Sequence, residues 1–329
     1  MTAPVRRVPD VVYGEVPGYR PLELDLYLPR EDRPVPVIVL VHGGGWRRGS
    51  RRHPLPVLGA DFYERLAAQG FAVAAIDYRL SGEARFPAPL DDVRTAIGWV
   101  GEHAAGYGLD TGRVFLWGDS AGGHLALLAA LTGATAHGVV AWFPVTDLAR
   151  LPSDVADAGG VPDPGPGSRE ALLLGAPASS VPGLAREASP VSHASAAAPP
   201  VLLMHGAADD LVPPAQSIRL AEALKPGQAP ANLLIGQSVE AFGVGTGSGC
   251  GAAAAGGGGA GGTGGGNGGN GSGSGVPITT GVIASVVGST ASNGSTAAVT
   301  LAVPDADAGV LACYASAGDV AIALTPGSG

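Results

Sequence analysis

The sequence lacks features that would place it in several other classes of protein. Only two cysteines, Cys250 and Cys313, occur among the 329 residues, which excludes a dense disulfide scaffold and leaves their pairing open. No run of 18 apolar residues is present, so no helix is expected to span a bilayer. The first ten residues, MTAPVRRVPD, contain no apolar core of a secretory signal, so we expect a cytoplasmic location.

Positive charge is scarce and unevenly placed. The chain has 19 Lys and Arg against 28 Asp and Glu, which gives a formal net charge of −9. A surface of this sign disfavours electrostatic capture of nucleic acid or of an anionic membrane. All the basic residues lie at or before Lys225, and residues 226–329 contain four charged side chains. No cluster of metal ligands stands out, so neither a metal nor a cofactor is expected.

Glycine is concentrated in one stretch after this change in charge. Residues 243–275 hold 19 glycines among 33 positions. Glycine has no side chain to bury and loses the most backbone freedom on ordering, so a packed core is not expected there. The stretch is typical of a flexible linker, with a coil span of roughly 30 Å. It divides a domain at 1–235 from a β-rich segment of uncertain fold at 276–329.

In the first domain, short apolar runs alternate with amphipathic segments. Strands are predicted at VVYGEV (11–16), LELDLYL (22–28), VPVIVLV (35–41), FAVAAID (71–77), RVFLWG (113–118), GVVAWF (138–143) and PVLLMH (200–205), and helices at 56–69, 89–104, 121–132 and 214–224. This alternation predicts an α/β fold, a mostly parallel sheet with helices on both faces. Residues 150–198 are predicted to form a cap-like insertion with a helix near 169–174.

The sharpest chemical signal is GDSAG at 118–122, a G-x-S-x-G motif between a predicted strand and a predicted helix. A tight turn at this place lifts the hydroxyl of Ser120 above the sheet, and the glycines leave room for the turn. The following helix points its N-terminal N–H groups at the site, where negative charge is favoured. The alternative is an ordinary serine that caps a helix, but the strand–helix setting favours a nucleophile.

A second signal, HGGGW at 42–46, directly follows the predicted strand 35–41. Three glycines allow several backbone amides to turn toward one point, where they can hold the oxyanion of an acyl-transfer intermediate. The alternative is a plain glycine turn between a strand and a helix. Beside the serine motif, an oxyanion-binding loop is the expected partner.

Taken together, the motifs resemble the α/β-hydrolase fold, and within it the carboxylesterase branch related to hormone-sensitive lipase and the feruloyl-esterase-like domains. The resemblance covers about residues 10–225. It is carried, in order, by HGGGW, DYRL (77–80) with FPAPLDD (86–92), GDSAGGHLA (118–126) and HGAADDLVP (205–213). It implies a nucleophile at Ser120, an oxyanion hole from Gly44, Gly45 and the amide of Ala121, a turn at Gly43, and an orienting acid at Asp209 rather than Asp210.

The triad histidine that this fold requires is missing from the expected place. The order in this fold is Ser, then Asp or Glu, then His. The chain has seven histidines, and none of them follows Asp209: His42, His53, His103, His124, His137, His193 and His205. His193 is the only one in a mobile-looking segment and is the one alternative candidate for the base, but a structural role is the better interpretation of each histidine, His193 included. Without a base the serine hydroxyl is a poor nucleophile near neutral pH.

The last hundred residues suggest why the histidine is absent. Residues 299–326 weakly resemble the C-terminal part of pilus-assembly proteins with an SAF-type β domain. A genuine fusion, a frame shift or assembly join, and a base supplied by a partner chain all remain open. The first two predict an incomplete sheet edge after helix 214–224, and the apolar run ANLLIG is placed to cover that edge.

These observations support two functions. The first is a serine carboxylesterase or lipase-like hydrolase of short-chain or aryl esters that works through an acyl-enzyme and is impaired by the absent histidine. The second is a catalytically inactive hydrolase-like scaffold fused to a β interaction module of the pilus-assembly type. A small ester is the partner that the first function implies.

Overall fold

The computed structural model describes residues 5–52, 54, 58–224 and 231–236, and five short strands beyond residue 283. The glycine-rich stretch at 243–275, in which we predict a linker, lies outside the described residues, and so do Cys250 and His53. No helix in the described part of the chain combines the length and the apolar composition that a membrane span requires.

The first domain is built on an eight-stranded sheet whose strand order is β1-β2-β4-β3-β5-β6-β7-β8. Its strands are β1 Arg6–Gly14, β2 Leu22–Leu28, β3 Val35–Val41, β4 Ala72–Ile76, β5 Leu109–Asp119, β6 Gly138–Trp142, β7 Val201–Gly206 and β8 Ala231–Gly236. β2 pairs antiparallel with β1 and β4, and the other pairs are parallel. The prediction of a mostly parallel sheet is confirmed.

The strand ANLLIG covers the edge of the sheet, as we predict from the sequence. It forms β8 and pairs in parallel with β7, from Val201 opposite Ala231 to Gly206 opposite Gly236. The apolar run is the first one after the last helix of the domain, so it lies close enough along the chain to take this place. β7 is therefore an interior strand with its backbone groups paired on both sides.

Helices lie on both faces of this sheet. They are α1 Phe62–Ala67, α2 Ala88–Tyr107, α3 Ala121–Leu131, α4 Leu151–Asp157, α5 Arg169–Leu174, α6 Pro182–Glu187 and α7 Ala215–Leu224. Strand residues alternate between the two faces. Val37 and Val39 pack with α2 and α3 in one core, whereas Ile38 and Leu40 pack with Phe62 of α1 in a second core. Both cores are closed to solvent.

Two helices differ from their predicted bounds for local reasons. The helix predicted at 56–69 is confined to α1, because Gly59 and Gly70, both with positive φ, form turns before and after it. The helix predicted at 89–104 continues to Tyr107, where Gly108 adopts the left-handed conformation (φ 67°) that ends many helices. The predicted apolar stripe of α2 is confirmed, since Leu90, Val93, Ile97 and Val100 are all buried.

A buried cluster of charges fixes the chain after β3 against the first strands. The Arg51 guanidinium binds Asp25 (2.8 Å), Glu23 (2.9 Å) and Asp77. The backbone N–H of Arg51 also donates to Asp77 (2.7 Å). Burial raises the pKa of Asp25, but the bonds from Arg7, from the Asp10 N–H and from Arg51 outweigh it, so its pKa is below the ordinary value. The cluster holds the end of the loop that begins with HGGGW.

The described strands of the tail form a separate sheet. They are β9 Ala284–Val287, β10 Ala298–Ala302, β11 Cys313–Ser316, β12 Asp319–Val320 and β13 Ala323–Thr325, in the order β12-β11-β10-β13 with β9 against β10. The β10–β13 pair is parallel, and the β10–β11, β11–β12 and β9–β10 pairs are antiparallel. The resemblance to a pilus-assembly domain stays a prediction.

Candidate active site

Ser120 lies at the tip of a strained turn between β5 and α3. Its φ of 49° and ψ of −115° are unusual for a residue with a side chain. Its N–H donates to the carbonyl of Trp142 at the end of β6 (2.8 Å), and its carbonyl accepts from the N–H of His124 in α3 (2.9 Å). Neighbouring elements thus hold the turn, while Ser120 itself remains partly exposed to solvent. A strained, accessible serine at this position can act as a nucleophile.

The glycines of the motif are required by close contacts between backbones. A Cβ on Gly122 would overlap the carbonyl oxygen of Val41 and lie 2.6 Å from that of His42. A Cβ on Gly118 would overlap the carbonyl carbon of Gly122. The start of α3 therefore packs directly on the end of β3, which brings the serine turn beside the loop that follows β3.

The HGGGW loop is docked on the serine turn by Asp119. The N–H of Gly43 donates to Oδ1 of Asp119 (3.1 Å), and a Cβ on Gly43 would overlap the same carboxylate. Gly44 and Gly45 both have positive φ (115° and 61°), which a residue with a side chain rarely adopts. This arrangement holds the glycine loop beside the serine turn. Sequence reasoning did not single out Asp119, because a carboxylate at a variable position of the motif carries no signal of its own.

His124 links the glycine loop to α3 and to the insertion. The indole N–H of Trp46 donates to Nδ1 of His124 (3.1 Å), so Nε2 carries the hydrogen and donates to the carbonyl of Ala188 (2.6 Å). Burial lowers the pKa of His124 to about 4. The ring is therefore neutral and both of its nitrogens are occupied, which fits a structural role and not that of a general base.

Asp209 lies on the loop after β7, at the same edge of the sheet as Ser120. The carboxyl ends of parallel strands share an edge, and β7 is separated from β5 by β6 alone. Oδ1 of Asp209 accepts the N–H groups of Leu211 (3.0 Å) and Val212 (2.9 Å). Oδ2 lies 3.9 Å from Nε2 of His205, too far for a hydrogen bond. One oxygen is thus used by the loop itself, and the neighbouring Asp210 is exposed.

The other described histidines also have partners. His205 is buried between the hydroxyl of Ser217 (2.7 Å) and the carbonyl of Val212 (2.5 Å), and burial lowers its pKa. The ring of His42 stacks on Tyr78 with 4.4 Å between centroids. Three further histidines contact backbone atoms: His193 the carbonyl of Glu187 (2.8 Å), His103 that of Trp99 (2.9 Å) and His137 the N–H of Val114 (3.4 Å). Among the described residues, no histidine bridges Ser120 and Asp209.

A cleft of about 420 Å³ opens beside this site. Its walls come from the loop after β7, from the insertion residues around α4 and α5, and from Arg47 of the glycine loop. Its size is in the range of small-molecule sites. The insertion that we predict at 150–198 therefore contributes to the wall of this cleft.

Asp119 should make the stability of the domain depend on pH. Burial raises the pKa of its carboxyl to about 6, with the Gly43 N–H acting in the opposite direction. A raised folded-state pKa means that the folded protein holds the proton more tightly than the unfolded chain does. The free energy of unfolding is therefore largest below the pKa that Asp119 has in the unfolded chain. It falls by on the order of 3 kcal/mol as pH rises through about 6.

Asp119→Asn is the matched test, because the amide keeps an oxygen for the Gly43 N–H and carries no charge. We expect the free energy of unfolding of the variant not to show this decrease between pH 4 and pH 7. The variant should therefore become more stable than the parent as pH rises. Urea unfolding of both proteins across that interval measures the difference. An unchanged pH dependence in the variant would show that Asp119 does not titrate in this way.

Comparison with known proteins identifies the family. Residues 24–224, more than half of the chain, match the model of the family BD-FAE. The chain belongs to the BD-FAE family. It is 33% identical over 228 residues to Esterase LipQ and 32% identical over 226 residues to Esterase LipC, both of Mycobacterium tuberculosis. These matches cover 66% and 65% of this chain but only 52% and 54% of the two relatives, so the chain spans about half the length of the curated relatives it matches.

Solved structures agree with this assignment. A truncated carbohydrate esterase from gut microbiota has a TM-score of 0.61 and 26% identity, with 71% of this BD-FAE chain and 88% of that chain covered. A thermophilic esterase of Thermogutta terrifontis has a TM-score of 0.54 and 28% identity, with 71% and 81% covered. The α/β-hydrolase fold is confirmed, and the relatives that define it are esterases.

Proposed function

We propose that the chain is a serine esterase of the BD-FAE family that forms an acyl-enzyme on Ser120. The observation that carries the proposal is the strained, accessible turn at Ser120, held against the HGGGW loop through Asp119. In the proposed mechanism the Ser120 oxygen attacks the ester carbonyl, the C–O bond to the alcohol breaks and the alcohol leaves with a proton, and water then releases the acid from the acyl-enzyme. The amides of Gly44, Gly45 and Ala121 stabilise the oxyanion, each donor contributing about 3 kcal/mol. Asp209 is the acid that would orient a histidine.

The substrate class follows from the relatives and from the cleft. LipQ and LipC are named esterases, and the gut protein is named a carbohydrate esterase. We therefore assign this chain small carboxylic esters, short-chain or aryl, with the rest of the molecule in the cleft beside the serine turn. Neither a metal nor a cofactor takes part in this mechanism. Cytoplasmic location stays an expectation from the sequence.

The proposal includes impaired turnover in the 329-residue chain. No histidine follows Asp209, and the described histidines are engaged elsewhere. Without a base, the proton of the attacking hydroxyl has no acceptor, and deacylation by water is slow for the same reason. A fusion, a frame shift or assembly join in the gene, and a base from a partner chain remain the three explanations.

Labelling by a fluorophosphonate probe tests the nucleophile directly, because the probe reacts irreversibly and needs no turnover. We expect slow, stoichiometric labelling of the parent chain and none of Ser120→Ala. The exposed Ser192 lies outside the serine turn, and Ser192→Ala should label like the parent. Equal labelling of the Ser120→Ala variant would remove Ser120 from the mechanism.

The second candidate is an inactive hydrolase-like scaffold joined to a β module for protein contacts. The absent histidine and the strands β9–β13 favour it. It differs from the first proposal in one observable result. An inactive scaffold binds an ester without reacting, so the fluorophosphonate would fail to label a chain that still retains the ester.

A further inference from the structure

The cleft beside the serine turn has two chemically different sides. Leu151, Val155 and Leu211 form an apolar side, and Leu211 is 57% exposed. Arg169 and Glu170, at the start of α5, belong to the polar side. A cleft of this kind takes a ligand with an apolar body and a polar group at one end.

Glu170 is the unusual group on the polar side. Its side chain is only 9% exposed, yet its recorded partner is the guanidinium of Arg169, with 3.9 Å from Nε to Oε1. That separation is an ion pair without a hydrogen bond. Among the described residues, no hydrogen bond to this carboxylate is recorded. Glu170 lines the cleft, so its oxygens are open to a hydrogen-bond donor of a ligand bound there.

Next to this ion pair, a ligand group of either charge meets a like charge, whereas Arg47, Asp163 and Asp210 line other parts of the cleft. An anionic group that approaches the Arg169 guanidinium comes within a few ångströms of the Glu170 carboxylate. A cationic group that approaches Glu170 meets Arg169 in the same way. A hydroxyl group accepts from the guanidinium and donates to the carboxylate without meeting a like charge.

The cleft adjoins both loops of the proposed catalytic site. The Cδ of Arg169 lies 2.7 Å from where a Cβ on Gly45 would stand, so the arginine packs on the proposed oxyanion loop. Asp210 and Leu211 line the cleft and directly follow Asp209. A group bound in the cleft is therefore close to an ester held at Ser120.

We propose that Arg169 and Glu170 make this cleft a binding site for an uncharged, hydroxyl-bearing part of the ester substrate, and that the pair excludes groups of either charge. The inference rests on the proposed function only in taking the hydroxyl-bearing group to be part of an ester. The binding site itself requires only the cleft and the ion pair.

Three ligands of nearly equal size test the site without any chemistry at Ser120. They are 2-phenylethanol, phenylacetate and the 2-phenylethylammonium ion, which share a benzene ring and differ in the charge of the end group. Ligand-observed NMR titration of the full chain at pH 7.5 gives the three dissociation constants. We expect 2-phenylethanol to bind best, by about fivefold over each charged ligand, the size of one partly exposed charge interaction.

Two uncharged variants should change this preference in opposite directions. Glu170→Gln removes the repulsion of anions, so phenylacetate should become the best ligand. Arg169→Gln removes the repulsion of cations, so 2-phenylethylammonium should become the best ligand. Asp163→Asn is the matched control, since Asp163 is an exposed carboxylate of the same cleft, and it should leave the order unchanged.

Opposite changes in the two variants would show that the pair selects the ligand by charge. If the pair had only a structural role, each variant would lower the affinity for all three ligands together. The inference is overturned if the parent chain prefers a charged ligand, if none of the three binds, or if the folded variants keep the parent order. Thermal unfolding of each variant identifies those that are folded, and either variant alone decides the outcome. Because no ligand is an ester, failure here leaves the labelling test of Ser120 untouched.

Discussion

Hydrolysis of p-nitrophenyl acetate by the 329-residue chain is expected to be very slow, and added imidazole is expected to accelerate it through Ser120. Removal of the triad histidine from a serine protease of another fold costs on the order of a millionfold in turnover. We expect a deficit of similar size here, because no histidine follows Asp209. Free imidazole can act as the missing base, but it lacks a fixed position. We therefore expect a gain of about tenfold, below the range of a positioned general base.

The control for this experiment must separate the protein from the buffer, since imidazole hydrolyses the ester by itself. Ser120→Ala measured at the same imidazole concentrations gives that background. The expected gain is the imidazole-dependent rate of the parent chain that remains after this background is subtracted. Asp209→Asn should reduce the gain, because an imidazole in the triad position donates to this carboxylate. Near-normal turnover by the parent without imidazole would contradict the proposed impairment and point to a histidine that acts from elsewhere.

The second large effect is expected at Gly122, where a methyl group has no room. Gly122→Ala places a Cβ against the carbonyl oxygens of Val41 and His42, which belong to the end of β3 and its loop. Backbone atoms cannot rotate away as a flexible side chain does, so β3 and α3 must separate. We expect a loss of about 3 kcal/mol in the free energy of unfolding, the upper end of the usual cost of overpacking, together with loss of fluorophosphonate labelling.

Gly98→Ala is the matched control for this substitution. Gly98 lies in the middle of α2 on its exposed side, and a Cβ there meets no atom within 4 Å. The same chemical change should therefore stabilise the protein by roughly 0.5–1 kcal/mol, because alanine loses less backbone freedom in a helix. Urea unfolding measures both variants. A Gly122→Ala protein as stable as the parent would mean that α3 does not pack on β3 in this way.

The outline of the first domain could be predicted because its signals are local. Strand β3 and strand β2 begin and end where their apolar patterns do, and the helix predicted near 169–174 has those bounds in the structure. The bounds of α1 could not be predicted in the same way. The turns at Gly59 and Gly70 depend on positive φ angles, which the spacing of apolar residues does not predict.

The candidate site could be predicted in part for the same reason. Ser120 and the glycines before it lie in short motifs, and the residue types of these motifs favour a particular backbone geometry. Asp119 could not be recognised, because its importance comes from a bond to Gly43, 76 residues earlier in the chain. The bridge from Trp46 through His124 to Ala188 likewise joins three distant segments.

The order of residues is enough to establish the alternation of strands and helices, the place of the serine turn and the absence of a histidine after Asp209, since each depends on neighbouring residues or on a count. The surroundings of individual side chains depend on the tertiary structure. The fold partly buries Asp119 and thereby raises its pKa, and it brings Arg169 and Glu170 to the side of the glycine loop. These outcomes depend on contacts between residues far apart in the chain, and burial and charge act through such contacts.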